Sequence, residues 1–252
     1  KDVAIIGFDD VITQSIAIGL SANGPARVVQ ASSTYALGRG VSAVDGRLYD
    51  SNSGQAQFVG NLSDCMALPG RHNHQNAAAA YAACRALGLD PQTIMDGIRT
   101  FPGLAHRLEM VGEIDGVKFV NDSKATNAEA AEQALKAYKK AYWIAGGVSK
   151  AEGIQPLAPL FPNITKAYLI GDSEETFAAT LKGKVALQTC GTLENAVQAA
   201  FRDAKVVGDE NPVILLSPAC ASFDQFRDFE HRGDVFRSIV QSMMPQELKE
   251  LA

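Results

Sequence analysis

Residues 117–127 read VKFVNDSKATN, an apolar run that is followed at once by amides, hydroxyls, a carboxylate and a cation. The run Val117 to Val120 predicts a buried β-strand. Asn127 precedes an alanine-rich stretch and can cap a helix over residues 127–139. A buried strand that passes into a helix through a polar turn is typical of an α/β fold with a mostly parallel sheet.

The same alternation continues on both sides of this stretch. Asp115-Gly116 predicts a hairpin between the strand and the run RLEMVGEI before it. The predicted elements downstream are strand AYWIAG, a helical turn near 156–160, strand KAYLIG, helix 173–182, strand VALQ, helix 192–206, strand VILLS and helix 231–243. The second part of the chain is therefore predicted to form a Rossmann-like, mostly parallel sheet with helices on both faces.

The first part of the chain has a different pattern. VAIIG predicts a buried strand, Asp45-Gly46 a hairpin, and the run from Asn73 to Gly88 a helix that ends at glycine. Asp90-Pro91 predicts the start of another helix. The Pro/Gly turn FPGLAH then favours a domain boundary, which divides the chain into residues 1–102 and 103–252.

Composition narrows the functional classes. The chain has 252 residues and a formal net charge of -5, with no basic block, so we expect small-molecule partners and no nucleic acid. Four scattered cysteines, no C-x-x-C pair and no apolar run near ~18 residues favour a cytoplasmic protein without a membrane span or metal site. Because the chain starts at Lys1 just before an apolar strand, we expect the first domain to be part of a larger one.

Three polar loops are expected to meet at one edge of the second sheet. Ligands of parallel sheets bind outside the carboxyl ends of the strands, where NDSKATN, GGVSK and SPACASFDQF follow predicted strands. Each loop alone has a structural explanation as a cap or tight turn, and GDSEE after the fourth strand is read as an ordinary N-cap. Together, with a lysine in two of them, they predict a site for a negatively charged ligand.

Two further clusters lie outside these loops. GRHNHQN places Asn73 and Asn76 three residues apart at a helix start, where they suit the edge of a purine or simply cap a solvated first turn. Arg107 follows the predicted domain boundary. It is either a ligand contact or an ordinary surface arginine. Neither a G-x-G-x-x-G fingerprint after a strand nor a Walker A loop occurs in the sequence.

Five motifs in a fixed order carry a family resemblance: HNHQNAAAA, FPGLAHRLE, NDSKATN, IAGGVSK and LLSPACASFDQFRDFEHRG. They resemble the ATP-dependent Mur ligases, and NDSKATN with SPACASFDQF resembles the branch that adds D-glutamate. The resemblance implies the latter part of a central ATPase domain over residues 1–102 and a glutamate-binding C-terminal domain over 103–252. It also implies ATP, Mg²⁺, D-glutamate and UDP-N-acetylmuramoyl-L-alanine as ligands in peptidoglycan precursor synthesis.

The resemblance implies a role for each matching residue. Thr126 and Lys150 would hold the α-carboxylate of D-glutamate, and Ser222 with the backbone at Phe229 would hold its side-chain carboxylate. Lys124 would be the catalytic residue, serving the incoming glutamate or the reacting phosphate. The implied ATP contacts are His72, Asn73 and Asn76 at adenine, and Arg107 and Asp122 at the ribose and phosphates.

The phosphate loop, the magnesium ligands and the main UDP-sugar site of the family have no counterpart in these 252 residues. We therefore expect the chain to be inactive by itself. Two alternatives stay open at this point: a folylpolyglutamate synthase-like ligase, which also adds glutamate, and a non-catalytic module that binds a nucleotide or an amino acid.

Overall fold

The computed structural model describes residues 2–65, 67–207 and 211–244. The chain divides into two units, Lys1–Pro102 and Gly103–Ala252. Within the described ranges, the first unit holds a five-stranded sheet and the second a six-stranded sheet.

The first unit combines parallel and antiparallel pairing. Its strands are β1 (Val3–Gly7), β2 (Arg27–Ser32), β3 (Val41–Val44), β4 (Arg47–Asp50) and β5 (Gln57–Asn61), and its helices are α1 (Val11–Asn23), α2 (Arg71–Ala86) and α3 (Pro91–Arg99). The strands lie in sequence order, with β1, β2 and β3 parallel and β3, β4 and β5 antiparallel.

Local sequence explains most of these elements. Asp45 and Gly46 both have positive φ, 49° and 74°, and form the predicted tight turn between β3 and β4. Asp90 caps α3 as predicted, because its Oδ1 accepts a 3.0 Å hydrogen bond from the Thr93 amide. Helix α2 begins at Arg71, earlier than the predicted Asn73, and Gly70 rather than an asparagine occupies its N-cap.

Helix α1 was not predicted from the sequence. Asp10 caps it, with Oδ1 accepting from the amides of Ile12 and Thr13. Of its residues, Ala17 is buried, whereas Val11 and Ile12 are mostly exposed. Its apolar residues surround the helix, so the sequence lacks the one-sided period that marks a surface helix.

The second unit has the predicted alternation of strands and helices. Its strands are β6 (Glu109–Ile114), β7 (Val117–Asn121), β8 (Ala141–Gly146), β9 (Ile164–Ile170), β10 (Ala186–Gly191) and β11 (Val213–Leu216), and its helices are α4 (Ala128–Ala137), α5 (Glu174–Leu181), α6 (Leu193–Val207) and α7 (Phe229–Met243). The strand order is β10-β9-β8-β11-β7-β6, in which β6 pairs antiparallel with β7 and the other neighbouring strands pair in parallel. The predicted fold class is thereby confirmed.

Alternate residues of each strand pack on opposite faces of this sheet. Val120, Trp143 and Leu215 contribute to a core that also contains Leu135 of α4. Phe119 and Ile144, one position away on their strands, join the core formed with α6 and α7. Full burial of such side chains contributes ~1.5–3 kcal/mol each, so both helical layers stabilise the sheet.

The predicted helical turn near residues 156–160 is a 3-10 helix, Gln155–Asn163. It contains Pro156, Pro159 and Pro162, and a proline lacks the amide hydrogen that an α-helix needs. At the other predicted turn, Asp115 and Gly116 have φ of 51° and 79° and join β6 to β7 as a hairpin, as expected.

Candidate active site at the carboxyl edge of the second sheet

The loops that follow β7, β8 and β11 are bonded to one another. Because β11 lies between β7 and β8, the carboxyl ends of these three strands are adjacent. The Asp122 amide donates to the Leu216 carbonyl over 2.7 Å, and Val148 and Ala221 form an antiparallel bridge. The indole nitrogen of Trp143 donates to the Ser217 carbonyl over 2.8 Å. The three polar loops therefore form one connected surface.

Two consecutive glycines allow this close contact. Gly146 and Gly147 have φ of 132° and 127°, values that side-chain-bearing residues rarely adopt. A Cβ at Gly146 would overlap the Ile170 carbonyl oxygen, and one at Gly147 would overlap that of Ala221. The GG of GGVSK is thus required by backbone packing, whichever ligand binds.

Asp122 is a buried carboxyl at the centre of this surface. It is 5% exposed, its Oδ2 accepts from the Ser217 hydroxyl over 2.7 Å, and its Oδ1 accepts from the Leu108 amide over 3.2 Å. Burial raises the pKa of Asp122 to about 7, against the lowering effect of these hydrogen bonds and of the nearby Arg107 charge. Asp122 and exposed Arg107, the two residues expected at ribose and phosphate, are therefore electrostatic neighbours.

The side chain of Lys124, in the turn after β7, lies against the first residue of α7. Its ammonium is 3.8 Å from the centroid of the Phe229 ring, a cation–π distance, and the residue is exposed. The Ser123 hydroxyl donates to the Phe229 carbonyl over 2.8 Å. The turn after β7 and the first residue of α7 are therefore held together, as a shared ligand site requires.

Arg232 contacts the candidate site's loops, although the sequence analysis did not single it out. It is 1% exposed, although arginine is rarely buried. Its Nε donates to the Ser123 hydroxyl over 2.9 Å, and its Nη2 donates to the carbonyls of Ser123 and Cys220 over 2.9 and 3.0 Å. Arg232 therefore links the first and third polar loops to α7. The only signal was its place within the EHRG end of the last motif.

Lys150 lines a cavity of about 280 Å³ beside α4. Asn127 and Ala219 also line it, together with the carboxylates of Glu129, Glu132 and Glu152. Asn127 caps α4 as predicted, accepting from the Ala130 amide over 2.8 Å. The structure thus brings Lys150 next to the end of NDSKATN.

The remaining glutamate candidates lie outside the lining of this cavity. Thr126 is half-buried and donates its amide to the Lys124 carbonyl over 2.8 Å. Ser222 is buried, and its carbonyl accepts from the amides of Gln225 and Phe226, which fixes the loop after β11. The four predicted glutamate contacts therefore share one edge of the sheet but do not line one closed pocket.

The reading of GDSEE as an ordinary N-cap is wrong. Ser173 occupies the N-cap position of α5 but makes no capping hydrogen bond with its side chain. Its hydroxyl instead lies 3.5 Å from the Cys220 sulfur, and its amide donates to the Gly147 carbonyl. The fourth loop thus supports the loops after β8 and β11.

The first unit holds the adenine candidates at the start of α2. The Asn73 side-chain nitrogen donates to the Pro69 carbonyl over 2.8 Å, and the Asn76 side-chain nitrogen lies 3.5 Å from the Asn73 side-chain oxygen. The two amides share a helix face, as their spacing predicts. His72 is half-buried beside them.

Comparisons with known proteins identify the family that this chain resembles. Residues 106–220 match the family model of the Mur ligase glutamate ligase domain, which confirms the resemblance to the Mur ligases. The chain is similar to the curated UDP-N-acetylmuramoylalanine--D-glutamate ligase of Caulobacter vibrioides, at 54% identity over 96% of this chain and 51% of the relative. The enzyme of the same name from Rhodospirillum rubrum is 52% identical, over 96% of this chain and 50% of the relative.

The chain thus spans about half the length of the curated relatives it matches. Among solved structures, a Mycobacterium tuberculosis folylpolyglutamate synthase complexed with ADP and AMPPCP matches with a TM-score of 0.60 and 17% identity, over 93% of this chain and 55% of that one. A UDP-N-acetylmuramate-alanine ligase from Thermotoga maritima matches with a TM-score of 0.55 and 17% identity, over 86% of this chain and 48% of that one. At these identities the solved structures support the fold alone.

Proposed function

We propose that this chain supplies the amino-acid site and part of the ATP site of a ligase that joins D-glutamate to UDP-N-acetylmuramoyl-L-alanine. The names of the curated relatives, at up to 54% identity over 96% of the chain, support this reading over a folylpolyglutamate synthase. In this proposal the phosphate loop, the magnesium ligands and the main UDP-sugar site belong to the rest of the ligase.

The observation that carries the proposal is the bonded group of polar loops at the carboxyl ends of β7, β8 and β11. These loops present Lys124 and Lys150 as exposed cations. The third loop leads to the amino end of α7, where the helix dipole favours an anion and Asp228 already caps the His231 amide. Such an edge suits a dicarboxylate that is held at both of its ends.

The reaction proposed for the whole ligase has two steps. ATP transfers its γ-phosphoryl group to the L-alanine carboxylate, which gives an acyl phosphate and ADP. The D-glutamate amine then attacks the acyl carbon, and the tetrahedral intermediate loses phosphate and a proton to form the amide. Fixed donors directed at the charge that develops in such steps are worth ~3–4 kcal/mol each. Lys124 is the residue to which we assign that role.

Orientation is the main contribution proposed for the other residues. Thr126 and Lys150 would hold the α-carboxylate, while Ser222 and the Phe229 amide would hold the side-chain carboxylate. Fixing both ends presents the amine in one direction, and ordering reactants in this way is worth ~7–11 kcal/mol in favourable cases. The same two-point attachment would exclude the mirror image.

For the nucleotide, we propose that Asn73, Asn76 and His72 contact adenine, and that Arg107 and Asp122 contact the ribose and phosphates. A carboxyl with a pKa of about 7 can carry a proton and would then repel phosphate less than an ionised one. Among the residues that the structure describes, no group of three or more His, Cys, Asp or Glu side chains could hold a metal ion. We therefore assign no magnesium ligand to them.

No helix in the described part of the chain is long and apolar enough to cross a membrane. We propose a cytoplasmic location, where the nucleotide substrates are made available.

The test is a phosphate-release assay with the full-length ligase, ATP, Mg²⁺ and UDP-N-acetylmuramoyl-L-alanine. We expect turnover with D-glutamate and none with L-glutamate. Turnover with L-glutamate and a folate acceptor would instead favour a folylpolyglutamate synthase. Nucleotide or amino-acid binding without any ligation would favour a non-catalytic module.

A further inference from the structure

Arg232 carries a buried positive charge that has no carboxylate partner among the residues the structure describes. Its three hydrogen-bond acceptors are the Ser123 hydroxyl and the carbonyls of Ser123 and Cys220, all of them uncharged. Its Nη1 is buried without any hydrogen-bond partner. Almost every buried polar group in a native protein is paired, so this exception calls for an explanation.

The position of Arg232 in α7 does not compensate its positive charge either. The residue lies in the first turn of α7, where the helix dipole disfavours a cation. The acids around it are engaged elsewhere: Asp228 accepts from the His231 amide and pairs with Arg227, and Asp224 accepts from the Asp172 amide. Asp224 acts on the guanidinium only through space, and burial lowers the pKa of Arg232 to about 10.

An uncompensated buried charge costs several kcal/mol. An anion that binds nearby would offset that cost. Arg232 contacts both loops that adjoin the proposed site, since Ser123 precedes Lys124 and Cys220 precedes Ser222 by two residues.

We propose that Arg232 is a positioning residue whose charge selects the side-chain carboxylate of the bound amino acid. This inference rests on the proposed function. Arg232 would act through Ser123 and through the loop after Cys220, and its positive charge would be balanced when the carboxylate reaches Ser222 and the amino end of α7. It would therefore set the preference for an acidic side chain over its amide.

A purely structural role for Arg232 predicts a different result. If Arg232 only held the loops together, its loss would weaken binding of an acidic and an amide ligand to the same extent. If the charge of Arg232 matters, its loss should weaken binding of D-glutamate alone, because D-glutamine has the same shape as D-glutamate without the side-chain charge.

The experiment compares D-glutamate and D-glutamine by calorimetric titration of the full-length ligase. Arg232→Gln removes the charge, Arg232→Lys keeps it, and Arg227→Gln is the matched control, because Arg227 is an exposed arginine at the same helix start. We expect the preference for D-glutamate to fall about tenfold or more in Arg232→Gln, the scale of one charged hydrogen bond. Arg232→Lys should keep most of the preference, and Arg227→Gln should keep all of it.

Equal weakening of both ligands in Arg232→Gln would overturn the inference while leaving the proposed function intact. A wild-type ligase that binds neither ligand, or prefers D-glutamine, would overturn both. If the variants do not fold, the Nε–Hε NMR resonance of Arg232 in the wild-type enzyme decides. It should shift on addition of D-glutamate and not of D-glutamine, and an equal response to both would overturn the inference.

Discussion

Replacement of Asp122 by asparagine should change how the stability of the second unit depends on pH. The Asp122 carboxyl has an ordinary pKa of 3.8 when unfolded and of about 7 when folded, because burial disfavours its charge. The folded state therefore keeps a proton that the unfolded state loses, so stability falls as the pH rises from about 4 to about 7. Asparagine stays neutral and can keep both hydrogen bonds, accepting from Leu108 and donating to Ser217.

The size of the effect follows from the two pKa values. At about 1.36 kcal/mol for each pKa unit, the rise in the pKa of Asp122 is worth up to ~4 kcal/mol above neutral pH. Urea unfolding of wild type and Asp122→Asn across pH 4 to 8 measures it. The variant should gain in stability relative to wild type as the pH rises, with the gain complete a little above pH 7. A difference in unfolding free energy that is the same at every pH would refute the reasoning.

Three further predictions concern single positions. Lys150→Ala in the full-length ligase should raise the KM for D-glutamate about tenfold or more with little change for ATP, since it removes one charge-assisted contact; equal losses for both substrates in steady-state kinetics would contradict the assignment. Asp122→Ala should chiefly weaken nucleotide binding, and unchanged ATP affinity in a fluorescence titration would contradict its proposed role. Gly233→Ala should destabilise the protein by ~1–3 kcal/mol, because the added Cβ would overlap the His106 ring; the control Gly97→Ala, in open space on α3, should be neutral or stabilising in the same thermal melts.

The parts of the fold that the sequence predicts are those governed by local chemistry. Asp45-Gly46 and Asp115-Gly116 can adopt positive φ and form tight turns, and Asp90-Pro91 supplies the N-cap and the first-turn proline of α3. The insertion of β11 between β7 and β8 could not be predicted, because it depends on crossover connections that leave no local pattern. Helix α1 could not be predicted either, since its apolar residues show no preferred face.

The candidate site was predictable to a similar degree. The strand ends and the polar loops that follow them could be read from the sequence, since the carboxyl ends of parallel strands share one edge. The burial of Asp122 could not, because it results from Ser217 and Leu108, residues distant in sequence that meet only in the folded sheet. Arg232 was missed for the same reason: an arginine in a helix with charged neighbours is normally solvated, and only the contacts with Ser123 and Cys220 make it part of the site.

The most direct test of the central claim is a calorimetric titration of this chain with D-glutamate and L-glutamate side by side, repeated in the presence of ADP. The account predicts that D-glutamate binds and L-glutamate does not, because the loops after β7, β8 and β11 would hold the two carboxylates in an arrangement that fits only one configuration of the amino acid. Equal binding of both enantiomers, or binding of L-glutamate alone, would contradict it.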